Sequence, residues 1–482
     1  MRYPALVLVN RQGFLLRTTS DHPLFAIAII GLAIKLAGFA LDQTPLFFMG
    51  DSGTYILSAI HHFVPSDRSF TYGLLLRWLA VWPGNLEALI LAQVLVSAAT
   101  AWLLGFTLLY FFEVQPALAI MASVAFCLDP LQILHERLVL TEAFTIFVFA
   151  GHLLLALWYL RQPRILTLLT FCITSIVLTS LRLVYAPIVL CEGALLPLLA
   201  MSTAKSQRRS NVAKTFGLHL ALGIGISLSL HGGYQYLVGA LSRLPPAYQY
   251  KDGLILASSW APLLKPTDAT DARAKSVIER QMTDRQYPLG ARYLREAQLW
   301  SIDGMANRLR RAFAGNGLAA NHSAKEMALQ ALRRDPLAVM HLTWLRYTDY
   351  WKTPTERRSR LLVEQGSDRP LPPSFLRELR LTFGSDVSDS WATMTASKRY
   401  HLAGGAWYYF LLVSPLVSLL NLFLCPSPHR SAAALISFVS LLLLIVTCAV
   451  SPASSFRYLH PLSFTRLIAL GALASVLTQK FV

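Results

Sequence analysis

Residues 86–112 read LEALILAQVLVSAATAWLLGFTLLYFF, a run of 27 residues with a single charged side chain. An α-helix needs about 20 apolar residues to cross the hydrocarbon core of a bilayer, so this stretch predicts a transmembrane helix. Nine further apolar runs of similar length occur in the chain, at 23–41, 116–134, 138–160, 165–181, 183–200, 215–231, 406–424, 431–450 and 461–478. The sequence therefore predicts an all-α integral membrane protein with about ten transmembrane helices.

The composition excludes an ordinary soluble protein. The 482 residues are 54% hydrophobic and only 14% charged, whereas soluble domains carry about 25% charged residues. By length alone, about three soluble domains of ~150 residues would be expected, but the apolar runs occupy too much of the chain. The five cysteines fall within or at the ends of apolar runs, so no disulfide-linked external module is indicated.

The net charge of +17 would suggest nucleic-acid binding in a soluble protein, but here its location favours another interpretation. Loops that alternate along the chain carry basic residues and no acidic ones. These basic residues are Arg161, Arg164, Lys205, Arg208, Arg209, Lys214, Arg430 and Lys480. Arg2, Arg11 and Arg17 precede the first run, and the segment 42–85 has no positive excess. The positive-inside rule then predicts cytoplasmic termini, contacts with membrane lipids and no nucleic-acid partner.

This topology divides the chain into three parts. Residues 1–231 form an N-terminal transmembrane module whose first external loop is 42–85, and residues 406–482 form C-terminal transmembrane helices. The polar segment 232–405 between them is expected to be an extracytoplasmic, mainly helical domain.

Local signals predict helix boundaries within this external domain. Ser323 and Glu326 have the spacing of a capping box, so a helix is expected to start there, and Asp335 before Pro336 should end it. Residues 337–351 are rich in aromatic side chains and too short to span, which predicts a helix at the outer headgroup level. Three arginines nearby are either a solvated helix face or a contact for lipid phosphates or an anionic acceptor. They are Arg308, Arg310 and Arg311.

Ionisable side chains gather near the predicted outer ends of the spans. They are Asp51, His135, Glu136, Arg137, Glu142, Arg182 and Arg457. A charged side chain near hydrocarbon costs about 2.5–3.5 kcal/mol on insertion scales, so such residues mark functional sites or helix pairing. Asp51 could also cap a helix, Glu142 could be an interhelical contact, and Arg182 could extend to the interface. His135 alone is more often structural.

Together these residues resemble the polyprenyl-phosphate-sugar-dependent glycosyltransferases of the GT-C superfamily, especially bacterial protein O-mannosyltransferase-like and aminoarabinose-transferase-like members. The resemblance spans the chain. It rests on Gly50-Asp51-Ser52-x-x-Tyr55, Leu140-Thr141-Glu142, Arg182 with Pro187, a late external domain, and Arg457-Tyr458-x-x-Pro461.

The resemblance implies a GT-C-like bundle in a bacterial inner membrane, with an extracytoplasmic active site. The donor would be a polyprenyl-phosphate-linked sugar, the acceptor a hydroxyl of a glycan, lipid or protein, and the reaction inverting. Asp51 matches the catalytic acid of the first loop. Arg457 matches the arginine near the donor phosphate, with help expected from Arg182 and Arg137. The supporting residues are Glu142, Tyr55, Tyr458 and His135.

The sequence also departs from the pattern of this group. Ser52 follows Asp51 where many members have a second acid, and the proline-rich segment expected later is absent. No metal ligand is therefore assigned, although a magnesium or manganese ion is an open expectation. An O-antigen ligase or polymerase, or a lipid-linked-sugar flippase, is the alternative. A transporter predicts polar residues spread through the depth of several spans, whereas here most of them gather at one face. Lys35 and His152 are the clearest exceptions.

Overall fold

The computed structural model describes residues 21–48, 50–203, 209–352, 354–366, 370–384, 387, 389 and 391–481. The predicted basic residues Arg2, Arg11, Arg17, Lys205 and Arg208 lie outside these ranges. Within the described ranges, the protein is 78% helical and has no strands; an isolated bridge joins Leu46 to Leu138. The predicted all-α class is confirmed.

The described residues of the N-terminal module form ten α-helices. They are α1 (Asp21–Leu41), α2 (Asp51–His61), α3 (Phe70–Leu76), α4 (Leu86–Phe111), α5 (Pro116–Cys127), α6 (Pro130–His135), α7 (Glu142–Arg161), α8 (Ile165–Leu181), α9 (Ala186–Thr203) and α10 (Arg209–Ser242). Because α10 runs to Ser242, it continues 11 residues past the predicted boundary at 231.

The middle segment contains short helices. They are α11 (Asp252–Ser259), α12 (Ala272–Met282), α13 (Arg295–Trp300), α14 (Met305–Ala312), α15 (Gly317–Arg334), α16 (Pro336–Asp349), α17 (Pro354–Glu364), α18 (Pro373–Phe383) and α19 (Ala396–Ala403). The C-terminal part contains α20 (Trp407–Leu412), α21 (Ser414–Leu424), α22 (Arg430–Val450) and α23 (Leu462–Phe481). The middle segment has its own apolar core within 254–342, separate from the core of the long helices.

Six described helices are long and apolar enough to cross a membrane: α1, α4, α7, α9, α10 and α22. The helices on either side of Val413 are bent by 44° and would make a seventh span if they cross together. The other predicted runs form the shorter apolar helices α5, α8 and α23. The protein thus has helices long and apolar enough to span a membrane, as predicted, although not every predicted run is one unbroken long helix.

Two predicted runs are interrupted for identifiable reasons. The run 116–134 breaks at Leu128 because the side chain of Asp129 accepts hydrogen bonds from the amides of Leu131 and Gln132 and caps a new helix there. The run 138–160 becomes helical only at Glu142. Its first residues instead follow the loop after α1: Leu138 forms a bridge with Leu46, and the amide of Val139 donates to the carbonyl of Leu46 at 2.9 Å.

The middle segment packs against one end of the bundle. Ser397 donates through its amide and hydroxyl to Asp42, at 2.9 and 2.7 Å, and Trp260 Nε1 donates to the carbonyl of Ala449 at 2.8 Å. Asp42 follows the C-terminus of α1, and Ala449 lies near the C-terminus of α22. The same end therefore receives the middle segment and the loop that follows α1.

Within the middle segment, the predicted helix start at Ser323 is wrong. The helix α15 begins at Gly317, where the side chain of Asn316 caps it, so Ser323 and Glu326 lie inside the helix. Its predicted end is confirmed, since Asp335 follows α15 and its side chain then caps α16. Arg308 and Arg311 of α14 pair with Asp284 and Asp303, at 2.5 and 3.2 Å, so this basic patch is partly neutralised.

A buried ion pair joins α1 to the connection between α6 and α7. Lys35 Nζ lies 2.6 Å from Glu136 Oε1 and donates to the carbonyl of Cys127 at 2.7 Å. Both charged side chains are almost fully buried. Such a pair contributes little relative to apolar residues, but removing one partner leaves a buried charge uncompensated.

We expect Glu136→Gln to destabilise the protein by about 3–5 kcal/mol, because Lys35 is left buried without its carboxylate. Chemical unfolding in detergent measures this loss. The double variant Lys35→Met/Glu136→Gln should recover part of the stability, and Glu87→Gln, at an exposed position of α4, should cost little. A Glu136→Gln protein as stable as the wild type would contradict the importance of this pair.

Candidate functional site

Asp51 is the first residue of α2 and lies at the bundle end that receives the middle segment. The helix is preceded by Gly50, whose φ of 81° belongs to the left-handed region that favours glycine. Asp51 does not cap the helix. Its Oδ2 accepts a hydrogen bond from Arg457 Nη2 at 2.6 Å, and its Oδ1 lies 2.5 Å from Arg68 Nη2. Both carboxylate oxygens are therefore directed at arginines.

Arg457 joins two carboxylates from distant parts of the chain. It lies in a short 3₁₀ turn between α22 and α23. Its Nη2 donates to Asp51, while its Nε donates to Glu142 Oε1, at the start of α7. The ring of Phe48 lies 4.9 Å from its guanidinium carbon. Arg457 is only 8% exposed, so these contacts replace water around the guanidinium.

Arg182 completes this group. Its Nη1 lies 3.5 Å from Glu142 Oε1 and donates to the carbonyl of Arg457 at 3.4 Å. The ring of Tyr458 lies near both guanidinium groups, 5.4 Å from that of Arg182 and 5.7 Å from that of Arg457. We call Asp51, Arg68, Glu142, Arg182 and Arg457 the arginine–carboxylate cluster. Three arginines and two carboxylates give it a formal charge of +1.

The cluster keeps Asp51 ionised. Burial opposes ionisation of this carboxyl group, but the charges of Arg457 and Arg68 outweigh it and hold the pKa of Asp51 below its usual value. Tyr55, one turn along α2, is buried. Burial and then the charge of Asp51 raise the pKa of Tyr55, so its hydroxyl stays protonated. The site thus combines a carboxylate, a neutral phenol and an excess of guanidinium charge.

Two predicted site residues have other partners. His135 Nδ1 lies 3.3 Å from His460 Nδ1, and burial followed by the neighbouring His460 lowers the pKa of His135, which keeps it neutral. Arg137 is fully buried beside Glu136, with its Nη1 3.7 Å from that carboxylate. It pairs with an acid outside the cluster, because residues 137–139 follow the backbone of Leu46 and direct it toward α1.

Sequence reasoning missed two residues of the site. Arg68 was not singled out among the charges of segment 42–85, because nothing in its local sequence indicates a contact with Asp51. Glu364, at the end of α17, was not considered at all. Its Oε1 accepts a hydrogen bond from the amide of Phe456 at 2.6 Å, next to Arg457, and burial raises the pKa of Glu364 to about 7. The middle segment therefore helps to hold the turn that carries Arg457.

The described residues contain no group of three or more His, Cys, Asp or Glu side chains arranged to hold a metal ion. Asp51 and Glu142, the two carboxylates of the arginine–carboxylate cluster, both form ion pairs with arginines. Dependence on magnesium or manganese stays a prediction.

Comparison of the sequence with models of known protein families finds no match, and comparison with curated protein sequences finds none either.

We expect Glu364 to make stability pH-dependent. Its pKa is raised on folding, so between its ordinary value of 4.5 and about 7 the folded protein holds a proton that the unfolded chain has released. Stability should therefore fall by up to about 3 kcal/mol as the pH rises through this window. Thermal unfolding of the wild type and Glu364→Gln between pH 4.5 and 7.5 tests this.

The Glu364→Gln variant should show a shallower decrease than the wild type, because its amide can still accept from Phe456 but does not titrate. Glu356→Gln, at an exposed position of the same helix, should behave like the wild type. Parallel curves for wild type and Glu364→Gln would show that the carboxyl group does not titrate in this window.

Proposed function

We propose that the protein is a membrane glycosyltransferase that moves a sugar from a polyprenyl-phosphate donor to an acceptor hydroxyl, with inversion, at the extracytoplasmic face. The observation that carries this proposal is the buried contact between Asp51 and Arg457, at 2.6 Å. It puts a carboxylate able to take a proton next to an arginine able to bind a phosphate. The proposal includes a GT-C-type bundle of about ten spans in a bacterial inner membrane.

The charge of the cluster suits the proposed donor. A sugar linked to a lipid monophosphate is a phosphodiester with one negative charge, which would neutralise the cluster's +1. When the sugar leaves, further negative charge develops on the phosphate oxygen. Arg457 and Arg182 would stabilise that charge, since guanidinium groups bind phosphate oxygens in a bidentate manner and act strongly where water is excluded. Glu142 holds both arginines in place.

Donor binding would also prepare Asp51 to act as a base. In the absence of donor its carboxylate is held by Arg457 and Arg68, which makes it a weak proton acceptor. A donor phosphate that competes for Arg457 would remove one of these contacts and raise the basicity of Asp51. The acceptor oxygen would then bond to the anomeric carbon as its proton passes to Asp51 and the bond to phosphate breaks.

A lipid-linked-sugar flippase is the second candidate, because the long helices carry polar pairs. His152 Nε2 lies 3.1 Å from Glu192 Oε2, and Tyr159 hydroxyl lies 2.7 Å from His219 Nδ1. Polar residues within spans often line a transport pathway. Reconstituted vesicles distinguish the two: a flippase moves donor lipid between leaflets without producing glycosylated acceptor. An O-antigen ligase or polymerase would instead join a preassembled glycan.

We expect Asp51→Asn to lower sugar transfer by at least about 100-fold, because the base that takes the acceptor proton is lost. Purified protein, fluorescent donor lipid and a panel of hydroxyl acceptors, separated by thin-layer chromatography, provide the measurement. Asp67→Asn is the matched control: Asp67 lies in the same loop but pairs with Lys251 at 2.5 Å. Unchanged turnover of a folded Asp51→Asn protein would exclude Asp51 as the base.

Arg68 should determine the lower pH limit of activity. In Arg68→Gln, Asp51 loses one of its two cations, so its pKa should rise. The acid limb of kcat/KM, which reports the free enzyme, should then move to higher pH than in the wild type. Arg77→Gln should leave the limb in place, because Arg77 binds the carbonyl of Ala59. A limb unaffected by Arg68→Gln would mean that a group other than Asp51 sets it.

A further inference from the structure

A second group of basic side chains surrounds one carboxylate in the middle segment. Asp349, in the last turn of α16, lies 3.0 Å from Arg292 Nη2, 3.5 Å from Arg295 Nη2 and 3.6 Å from Lys352 Nζ. Arg346 lies one turn before Asp349 on the same helix. We call Arg292, Arg295, Arg346, Lys352 and Asp349 the Asp349 cluster.

The Asp349 cluster has more positive charge than its own acids compensate. Three cations contact Asp349, and Arg346 lies one turn away. Even when Glu296, which lies near Arg346, is counted as a second carboxylate, the four cations outnumber the carboxylates by two. Burial and then the charge of Arg346 lower the pKa of Arg295 to about 9, which still leaves it charged at neutral pH. The group therefore lacks an anion.

Arg346 shows where that anion would bind. Its side chain is only 3% exposed, and Nη1 donates to Ser454 Oγ at 3.2 Å. Its Nε and Nη2 atoms are buried without a hydrogen-bond partner in the part of the chain that the structure describes. A buried guanidinium edge with two unsatisfied donors costs free energy unless a ligand accepts from it. Two adjacent N–H groups match two oxygens of one phosphate.

The surroundings of α16 indicate a lipid as the source of this phosphate. Leu337, Met340 and Trp344 are 73, 66 and 59% exposed, and their spacing puts them on one face of α16. Arg346 and Asp349 lie on the inward-facing side of the same helix. The helix is joined to the apolar C-terminal helices through Tyr347, whose hydroxyl donates to the carbonyl of Leu412 at 2.6 Å. An exposed apolar face beside a basic site is the arrangement of helices that lie at a headgroup layer.

We propose that the Asp349 cluster binds the phosphate of an anionic membrane lipid, with Arg346 as the central ligand and the exposed face of α16 against the acyl chains. Arg292 and Lys352, each about one third exposed, lie where a headgroup can reach them. This site is separate from the arginine–carboxylate cluster and shares no residue with it. The proposal does not depend on sugar transfer.

The test measures unfolding temperature of the purified full-length protein in neutral detergent. The added probes are dioleoylphosphatidylglycerol, the phosphate-free lipid dioleoylglycerol, and inorganic phosphate. We expect phosphatidylglycerol to stabilise the wild type most, since a ligand that binds only the folded state raises its stability. Arg346→Gln should weaken the apparent affinity for phosphatidylglycerol by at least about tenfold, equivalent to about 1.4 kcal/mol.

Two comparisons separate lipid binding from a structural role of Arg346. In detergent alone, Arg346→Gln should be at least as stable as the wild type, because an unsatisfied buried charge is removed. In phosphatidylglycerol this order should reverse, while Arg346→Lys should keep a partial response. Arg311→Gln, which alters the exposed pair with Asp303, is the control and should respond like the wild type.

Three results would overturn the proposal. Equal stabilisation by dioleoylglycerol would mean that the acyl chains alone are bound. Equal stabilisation by inorganic phosphate would identify a site for a soluble anion. An unchanged lipid response in Arg346→Gln would exclude the site. If Arg346→Gln does not fold, the variant Arg292→Gln/Lys352→Gln, altering partly exposed side chains, provides the same comparison.

Discussion

The buried contact of Arg457 with Asp51 and Glu142 is the interaction on which the site depends. Its partners lie 406 and 315 residues away in the chain, so it exists only when the loop after α1, the start of α7 and the turn before α23 meet. Buried ions are stabilised by each other and not by water, so removing any one of them lowers the stability of the folded protein. The same buried contacts hold the guanidinium groups at the place where negative charge would develop on a phosphate during a transfer reaction.

The turn that carries Arg457 is held from the middle segment by a series of neighbouring contacts. Ser454 accepts from Arg346, the carbonyl of Ser455 accepts from Tyr350 at 2.9 Å, and the amide of Phe456 donates to Glu364. Arg457 itself then reaches Asp51. Each residue of this turn is thus attached either to the middle segment or to the arginine–carboxylate cluster. The middle segment therefore helps to position Arg457 in the arrangement that the structure already shows.

The sequence predicted the features that depend on apolar periodicity and on which end of each helix a residue occupies. Apolar runs predicted the long helices, and alternating basic loops assigned Asp51, Glu142, Arg182 and Arg457 to one end of the bundle, where the structure brings them together. It could not predict partners that depend on side-chain direction. Arg137 was expected to help bind the donor phosphate, but the backbone after α6 directs its side chain toward α1 and Glu136. Arg68 and Glu364 reach the site through tertiary packing alone. The break at Asp129 was missed because one capping carboxylate outweighed an otherwise continuous apolar pattern.

The two basic clusters differ in how completely their charges are satisfied, and this difference separates their proposed roles. In the arginine–carboxylate cluster, each carboxylate contacts two arginines, so a ligand must compete with an internal anion, and its binding changes the environment of Asp51. In the Asp349 cluster, Arg346 has donors with no internal acceptor in the described part of the chain, so a ligand would add contacts without displacing any. A ligand that competes with an internal carboxylate is expected to bind reversibly, as a substrate does. A ligand that only adds contacts is expected to stay bound, as a structural lipid does. Because Ser454 contacts Arg346 and Arg457 follows three residues later, a lipid bound at Arg346 would also restrict the turn on which Arg457 lies.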